Sequence, residues 1–407
     1  MNHFIASILP GLTTFVTMAY ITAVNPTILG TEGTGMPRLG VVTSTVATTV
    51  IFSLVMAVFV RGPYAIAPGM GLNTFFAFGI ILSQGIPWTQ ALGITFWAGM
   101  LLVLVTSIPC LRKVMLHLLP ENVALATVVG LGLFISFIGC KNGGLIEADP
   151  HTLVRLAPIS IKAMLSALGI VITVVLFLMQ KDYAALVGVV VVSAIALFAG
   201  EAEWPSRIIS MPDFSTFFVC DAYGAMRFEY LPLILAVAVL TLGDSVAVIK
   251  SIAKQAQLID PETQEPYHFN RALMISAWSV IGSSFFGTSP PIVFLENAAG
   301  VAAGGRNGAS TAVVALLFLP LLFFAPLVQG VPASAVAGTL FLIGALMFTN
   351  ARHLQLDTPS AALPAFVTIA GMVFTASIAN GLFAGLFVYF LLWLCSRKGK
   401  HTKEHRA

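Results

Sequence analysis

Residues 287–305 read GTSPPIVFLENAAGVAAGG, and residues 63–79 read PYAIAPGMGLNTFFAFG. Each stretch begins near a proline, Pro291 or Pro63, continues with extended-type residues and ends in a Gly/Ala-rich helix start. Proline removes a backbone N–H and glycine loosens the helix, so neither stretch can form one regular helix. We therefore predict a short extended segment followed by a half-helix in each.

The composition is that of a membrane protein. Of the 407 residues, 58% are hydrophobic and 9% are charged, whereas soluble domains carry about 25% charged residues. No charged residue occurs in 62–111, 307–351 or 358–396, and each run has room for two membrane spans of about 20 residues. This excludes a soluble enzyme and a secreted disulfide scaffold, and the net charge of +3 excludes a nucleic-acid partner.

Charges, Gly/Pro clusters and polar runs divide the chain into fourteen predicted spans. If the N-terminus is cytoplasmic, the inner loops and the tail hold 14 basic residues and the outer loops hold 6. The positive-inside rule then places both termini in the cytoplasm, and we expect the cell (inner) membrane. The spans are 7–29, 39–60, 64–83, 89–110, 122–140, 158–180, 183–200, 229–250, 270–287, 290–303, 308–328, 332–349, 360–378 and 379–396.

An acidic extracytoplasmic linker, 201–228, separates two halves of seven spans, 1–200 and 229–396, and a basic cytoplasmic tail follows at 397–407. Seven is odd, so the second half begins on the opposite face from the first. This arrangement predicts a 7+7 inverted repeat, a common plan among secondary transporters.

The two broken stretches are the third span of each half, which is a sequence pointer to a transporter's binding site. Nonhelical backbone in a membrane must be buried in protein or line a cavity. We expect the two half-helices to aim backbone N–H groups at one place. The residues at their starts are Gly69, Met70, Gly71, Asn297 and Ala298.

Two acids, Asp244 and Glu296, fall inside predicted spans, and no basic residue lies mid-span near either. A charge in the membrane interior is costly and usually marks a substrate or proton path. A carboxylate accepts two N–H donors side by side, which matches the edge of an amide-like heterocycle. Both acids are candidates for substrate binding and proton coupling, and a protonated acid satisfied by backbone groups is the alternative.

Other polar residues are weaker candidates. Asn73 and Asn297 can bond a ligand or tie the two broken segments together, and the sequence leaves both readings open. Thr17 and Tyr20 can face the site, although a membrane threonine more often bonds its own backbone. The histidines are scattered without ligand spacing, so we predict no metal site and no catalytic residue.

Five segments occur in an order and spacing that resemble the nucleobase–ascorbate (xanthine/uracil) permease superfamily, and most closely its purine branch of hypoxanthine/guanine/adenine permeases. They are TTFVTMAYITAVNPTIL at 13–29, APGMGLNTFFAF at 67–78, ALGITFWAGMLL at 91–102, GLGLFISFIGCKNGG at 130–144 and ENAAGVAAGGRNG at 296–308.

The resemblance implies a core domain from spans 1–4 and 8–11, a gate domain from spans 5–7 and 12–14, and two short antiparallel strands in spans 3 and 10. It implies base binding by Asp244, Glu296 and Asn73. It also implies import with a proton, no other cofactor, and a homodimer. Two departures, GDSVAVI at 243–249 and the Glu296–Asn297 pair, leave the base open.

The hypothesis is a proton-coupled importer of a purine such as hypoxanthine, guanine, adenine or xanthine. The alternatives are a transporter of uracil or another small planar or anionic solute, an anion exchanger or channel on the same fold, and a nontransporting receptor. A membrane-embedded enzyme would need a cluster of metal ligands or nucleophiles, and the sequence shows no such cluster.

Overall fold

The structure is a computed structural model that describes residues 2–118, 120–205, 207–375 and 377–404, without the side chains of 2–5, 113–114, 116–118 and 395–404. The side chains of the predicted basic tail, 397–407, lie outside the described residues. The chain is mostly helical, as predicted, and every predicted span contains helix.

The helices, numbered in chain order, are α1 Asn2–Met18, α2 Ile21–Leu29, α3 Arg38–Phe59, α4 Met70–Thr74, α5 Trp88–Ser107, α6 Pro109–Leu118, α7 Glu121–Asn142, α8 Ile161–Leu178, α9 Ala184–Phe198, α10 Leu231–Gln255, α11 Phe269–Phe286, α12 Asn297–Ala302, α13 Gly308–Phe318, α14 Ala325–Gln329, α15 Ala333–Phe348, α16 Pro359–Phe374 and α17 Ile378–Glu404. The strands are β1 Ile66–Pro68, β2 Ile146–Asp149, β3 Leu153–Leu156 and β4 Pro291–Val293.

The two broken segments form short strands that pair with each other, and we call this pair the strand crossing. Strand β1 pairs antiparallel with β4, which confirms the predicted strands in spans 3 and 10. The partners in register are Ile66 with Val293, Ala67 with Ile292, and Pro68 with Pro291. The strand pair therefore satisfies backbone groups that helical hydrogen bonds would otherwise satisfy.

The side chain of Asn297 holds this crossing together. Its Oδ1 accepts the N–H of Ala65 at 2.9 Å, and its Nδ2 donates to the Ala65 carbonyl at 3.0 Å and to the Phe294 carbonyl at 2.6 Å. Ala65 and Asn297 are both buried. One amide thus ties the second-half segment to the first-half segment across 232 residues of chain.

The buried side-chain amide of Asn25, on α2, bonds to the same region. The Nδ2 of Asn25 donates to Thr45 at 2.8 Å and to Thr288 at 2.9 Å, and its Oδ1 accepts from Asn73 at 3.1 Å and from Ser289 at 3.3 Å. Asn25 is 0% exposed. These bonds connect α2 and α3 with both broken segments.

The helices pack in two groups. The first group contains α1–α5 and α10–α13, and the second contains α7–α9 and α15–α17. Within the second group, a Cβ added to Gly344 would collide with Ser136 and the Gly132 carbonyl, so glycine permits the close approach of α7 and α15. The predicted division of the spans into a core domain and a gate domain stays a prediction.

Several local features differ from the sequence expectation. The predicted span 308–328 is interrupted by a 3₁₀ turn, Leu319–Leu322, where Pro320 lacks the N–H that an α-helix needs, and α14 then begins with Pro326 in its first turn. The predicted loop after α7 contains the β2–β3 hairpin, in which Arg155 pairs with Glu147. A separate helix, α6, follows α5.

Among the described residues, seven helical segments are long and apolar enough to cross a membrane by length and composition. Five more apolar helices are shorter, between 10 and 17 residues. The total of fourteen crossings stays a prediction.

Replacing Asn297 with alanine should destabilise the fold. The change removes three hydrogen bonds and leaves the buried N–H of Ala65 without its acceptor, and each unsatisfied buried group costs about 1–3 kcal/mol. We expect a clearly lower unfolding temperature of the purified protein in detergent. The matched control is Asn350→Ala, since the Asn350 amide donates only to the Met347 carbonyl, three residues earlier in the chain. Equal unfolding temperatures for the two variants would contradict the bridging role.

Candidate functional site

A cavity of about 690 Å³ opens beside the end of β4. One wall comes from the first helix group and carries polar side chains at Thr17, Tyr20 and Glu296. The facing wall comes from the second group and is mainly apolar, with Phe177, Leu178, Ala184, Ala185, Leu342, Ile343 and Leu346. The volume and the mixture of an apolar wall with a few polar groups fit a small-molecule site.

Glu296 is placed by the strand crossing. It follows β4 directly and precedes α12, next to the clamping residue Asn297. The Tyr20 hydroxyl, between α1 and α2, donates a hydrogen bond to Oε1 of Glu296. A carboxylate from the second half and a phenol from the first half therefore meet on the cavity wall.

Two further predicted residues line the cavity, Thr17 and Ala298. The Thr17 hydroxyl donates to the Thr14 carbonyl at 2.8 Å and approaches the Thr13 carbonyl at 3.1 Å. Its hydrogen is therefore used within its own helix, as is common for membrane threonines.

The predicted residues of the first broken segment lie away from this cavity. Gly69, Met70 and Gly71 are buried beside the strand crossing, and the Gly69 N–H donates to the Pro290 carbonyl at 3.1 Å. Asn73 is fully buried and bonds to Asn25 and Thr74. These residues support the crossing in this conformation.

The first backbone N–H groups of α12 are bonded within the same segment. The N–H groups of Asn297, Ala298 and Ala299 donate to the carbonyls of residues 294, 295 and 296, at 3.3, 2.9 and 3.1 Å. The side chain of Asn297 is likewise bonded to Ala65 and Phe294. Side-chain oxygens, rather than these three amides, are therefore the groups that the second broken segment presents to a ligand.

Asp244 lies in the middle of α10, half-buried and outside the residues that line the cavity. Within the described part of the chain, its carboxylate makes no hydrogen bond or ion pair. Helix α10 packs against both β4 and α12, so Asp244 belongs to the same helix group as Glu296.

Sequence reasoning missed most of the facing wall. The turn between α8 and α9, with Gln180, Lys181 and Asp182, and the inner face of α15 carry no motif. Tyr20 had a signal, because a tyrosine stands in the middle of a predicted span close to the Asn25–Pro26 helix breaker. The segments that line the cavity are far apart in sequence, so the sequence does not show that they share one cavity.

Comparison with known proteins gives consistent results. The model of the xanthine/uracil permeases, described as "Permease family", matches residues 5–383. The adenine permease AdeQ of Escherichia coli strain K12 is 36% identical over 96% of this chain and 87% of its own length. The guanine/hypoxanthine permease PbuO of Bacillus subtilis strain 168 is 33% identical over 98% of this chain and 93% of its own length.

Solved structures share the fold. The transmembrane domain of the cyanobacterial bicarbonate transporter BicA superimposes with a TM-score of 0.66, covering 93% of this chain and 96% of that one, at 15% identity. SLC26A9 superimposes with a TM-score of 0.68 over 96% of this chain and 65% of that one, at 12% identity. At such identities the likeness is one of fold.

Cysteine labelling tests the position of the cavity. In a variant whose four cysteines are replaced by serine, Ala298→Cys and Ile343→Cys should react with a water-soluble thiol reagent, one from each wall. Thr74→Cys, which lies at a buried position, should react at least about tenfold more slowly, because thiol reactivity requires solvent access. Equal labelling at all three positions would contradict the described cavity.

Proposed function

Because this chain belongs to the xanthine/uracil permease family, we propose that it imports a purine nucleobase together with a proton. Permeases are membrane transporters and not enzymes. The observation that carries the substrate proposal is the Glu296 carboxylate on the wall of a cavity sized for a small molecule. The names of AdeQ and PbuO, which specify adenine and guanine/hypoxanthine, support a purine.

The two walls of the cavity suit a planar base. The polar wall, with Glu296 and Tyr20, can accept hydrogen bonds from the N–H groups at the edge of the ring. The apolar wall, with Phe177, Leu342 and Ile343, can cover the ring faces. A base between them contacts both helix groups.

We assign different roles to the two mid-membrane acids: Glu296 binds the base, and Asp244 carries the coupling proton. Glu296 contacts the base, because it lines the cavity. Asp244 lies outside the cavity and lacks a partner among the described groups. An unpaired acid in a membrane helix is costly and is typical of proton paths. In this proposal Asp244 exchanges the proton as the helix groups move.

The cavity also supports a direction of opening. Its mouth includes Gln180, Lys181 and Asp182 in the α8–α9 turn, and we propose that this turn lies on the cytoplasmic side, which the distribution of basic residues supports. The conformation is then open to the cytoplasm. In this proposal, transport proceeds as the first helix group moves against the second, in the cell (inner) membrane, with both termini cytoplasmic and two copies forming a homodimer.

Anion transport on this fold is the main alternative. BicA is a bicarbonate transporter, and its structure shares the fold at low identity. In the present cavity, however, the wall carries a carboxylate, while Lys181 lies exposed at the mouth. A carboxylate at the binding position repels an anion and therefore favours a neutral base.

Glu296→Gln should reduce binding and uptake of radiolabelled purines by about 10- to 100-fold, because a hydrogen bond to a charged group contributes about 1.5–3 kcal/mol. Glu262→Gln, at an exposed position in the α10–α11 loop, is the control and should transport normally. Full transport by Glu296→Gln would refute the role of this acid.

Asp244→Asn separates binding from coupling. In proteoliposomes with a proton gradient, this variant should still bind the base and exchange it across the membrane. It should lose accumulation driven by the gradient, because its side chain can no longer exchange a proton. Gradient-driven accumulation at the wild-type level would rule out Asp244 as the coupling acid.

A further inference from the structure

We propose that Tyr20, together with Glu296 and Thr17, makes the polar wall of the cavity an acceptor-only surface that selects purines bearing an amino group. This inference rests on the proposed nucleobase transport and specifies the class of base. The substrates it favours are guanine and adenine, and those it disfavours are the corresponding bases without the amino group.

The hydroxyl hydrogens of this wall already form hydrogen bonds with acceptors in the protein. Tyr20 is 3% exposed, and its hydroxyl donates to Oε1 of Glu296. The Thr17 hydroxyl donates to carbonyls of its own helix, at residues 13 and 14. A hydroxyl has a single hydrogen, and a carboxylate has none. The three side chains therefore offer a ligand only oxygen lone pairs.

The position of this surface is well defined by its neighbours. Asn297 holds the turn that carries Glu296 through its bonds to Ala65. Tyr20 stands at the break between α1 and α2, five residues before the anchoring amide of Asn25. Among the residues that line the cavity, the polar donors Gln180 and Lys181 belong to the exposed mouth on the other helix group.

An acceptor-only surface discriminates between bases by their edges. Guanine presents N1–H beside its 2-amino group, and adenine in its N7–H form presents that N–H beside its 6-amino group. Hypoxanthine has C2–H where guanine has its amino group, and both bases carry the O6 carbonyl on the other side of N1–H. A base without the amino group therefore leaves one acceptor of the wall without a donor, and a site left with unpaired polar groups rejects such an analogue strongly.

Tyr20 is the specificity residue in this arrangement. Its oxygen lies beside the carboxylate and supplies the acceptor for the neighbouring amino group, while its O–H occupies Oε1 of Glu296. A phenylalanine at this position removes the acceptor for the amino group, and with it the preference for the amino-bearing base.

Matched ligand pairs test the inference on the unmodified protein. Binding of guanine against hypoxanthine, and of adenine against unsubstituted purine, is measured by calorimetry or thermal shift on the purified full chain. We expect the amino-bearing member of each pair to bind at least about tenfold more tightly. Equal or tighter binding of hypoxanthine and purine overturns the acceptor-only surface, even if transport is intact. If none of the four bases binds, the proposed function itself fails as well.

Tyr20→Phe tests the residue. The ratio of the two affinities in each pair should fall by at least about threefold. The matched control is Tyr64→Phe, because Tyr64 is buried in the same helix group and its hydroxyl has no hydrogen-bond partner among the described residues. The control should keep the wild-type ratios. A Tyr20→Phe variant that weakens all four bases equally, or that keeps both ratios, overturns the role of Tyr20.

Discussion

The rest of the structure depends on the need to satisfy backbone hydrogen bonds where two membrane segments stop being helical. Lipid offers neither donors nor acceptors, so an interrupted segment must find its partners in the protein. Here each interrupted segment finds them in the other, through β1 and β4. The amide of Asn297 completes the arrangement by bonding both backbone groups of Ala65.

This crossing also determines which polar side chains remain for a ligand. The side-chain amides of Asn25, Asn73 and Asn297 all form hydrogen bonds that hold segments together. An amide has both donors and an acceptor, so it can bridge two backbones or two hydroxyls at once. The Glu296 carboxylate, which only accepts, cannot tie carbonyls together and instead faces the cavity with Tyr20. The neighbouring residues Asn297 and Glu296 thus have different roles: the amide of Asn297 holds the two segments together, and the carboxylate of Glu296 faces the cavity.

The cavity lies between the two helix groups, and this placement links binding to motion. The polar wall and the apolar wall belong to different packing units, each with extensive internal contacts. In the proposed mechanism, a base between them is released or enclosed as the groups shift, without rearrangement inside either group. The close glycine contacts between α7 and α15 keep the second group compact.

The sequence by itself determined the membrane class, the two interrupted segments with an extended stretch in each, and the acids Asp244 and Glu296 inside predicted spans. These follow from local signals: apolar length, proline and glycine density, and charges placed where they are costly. Only the tertiary structure decided that Asn73 lies in a buried network, that Asp244 lies outside the cavity, and that Tyr20 contacts Glu296. Those outcomes depend on contacts between segments up to 276 residues apart. Helix periodicity cannot show which of several polar residues will meet such a distant partner, because the direction of a side chain is set by packing between helices.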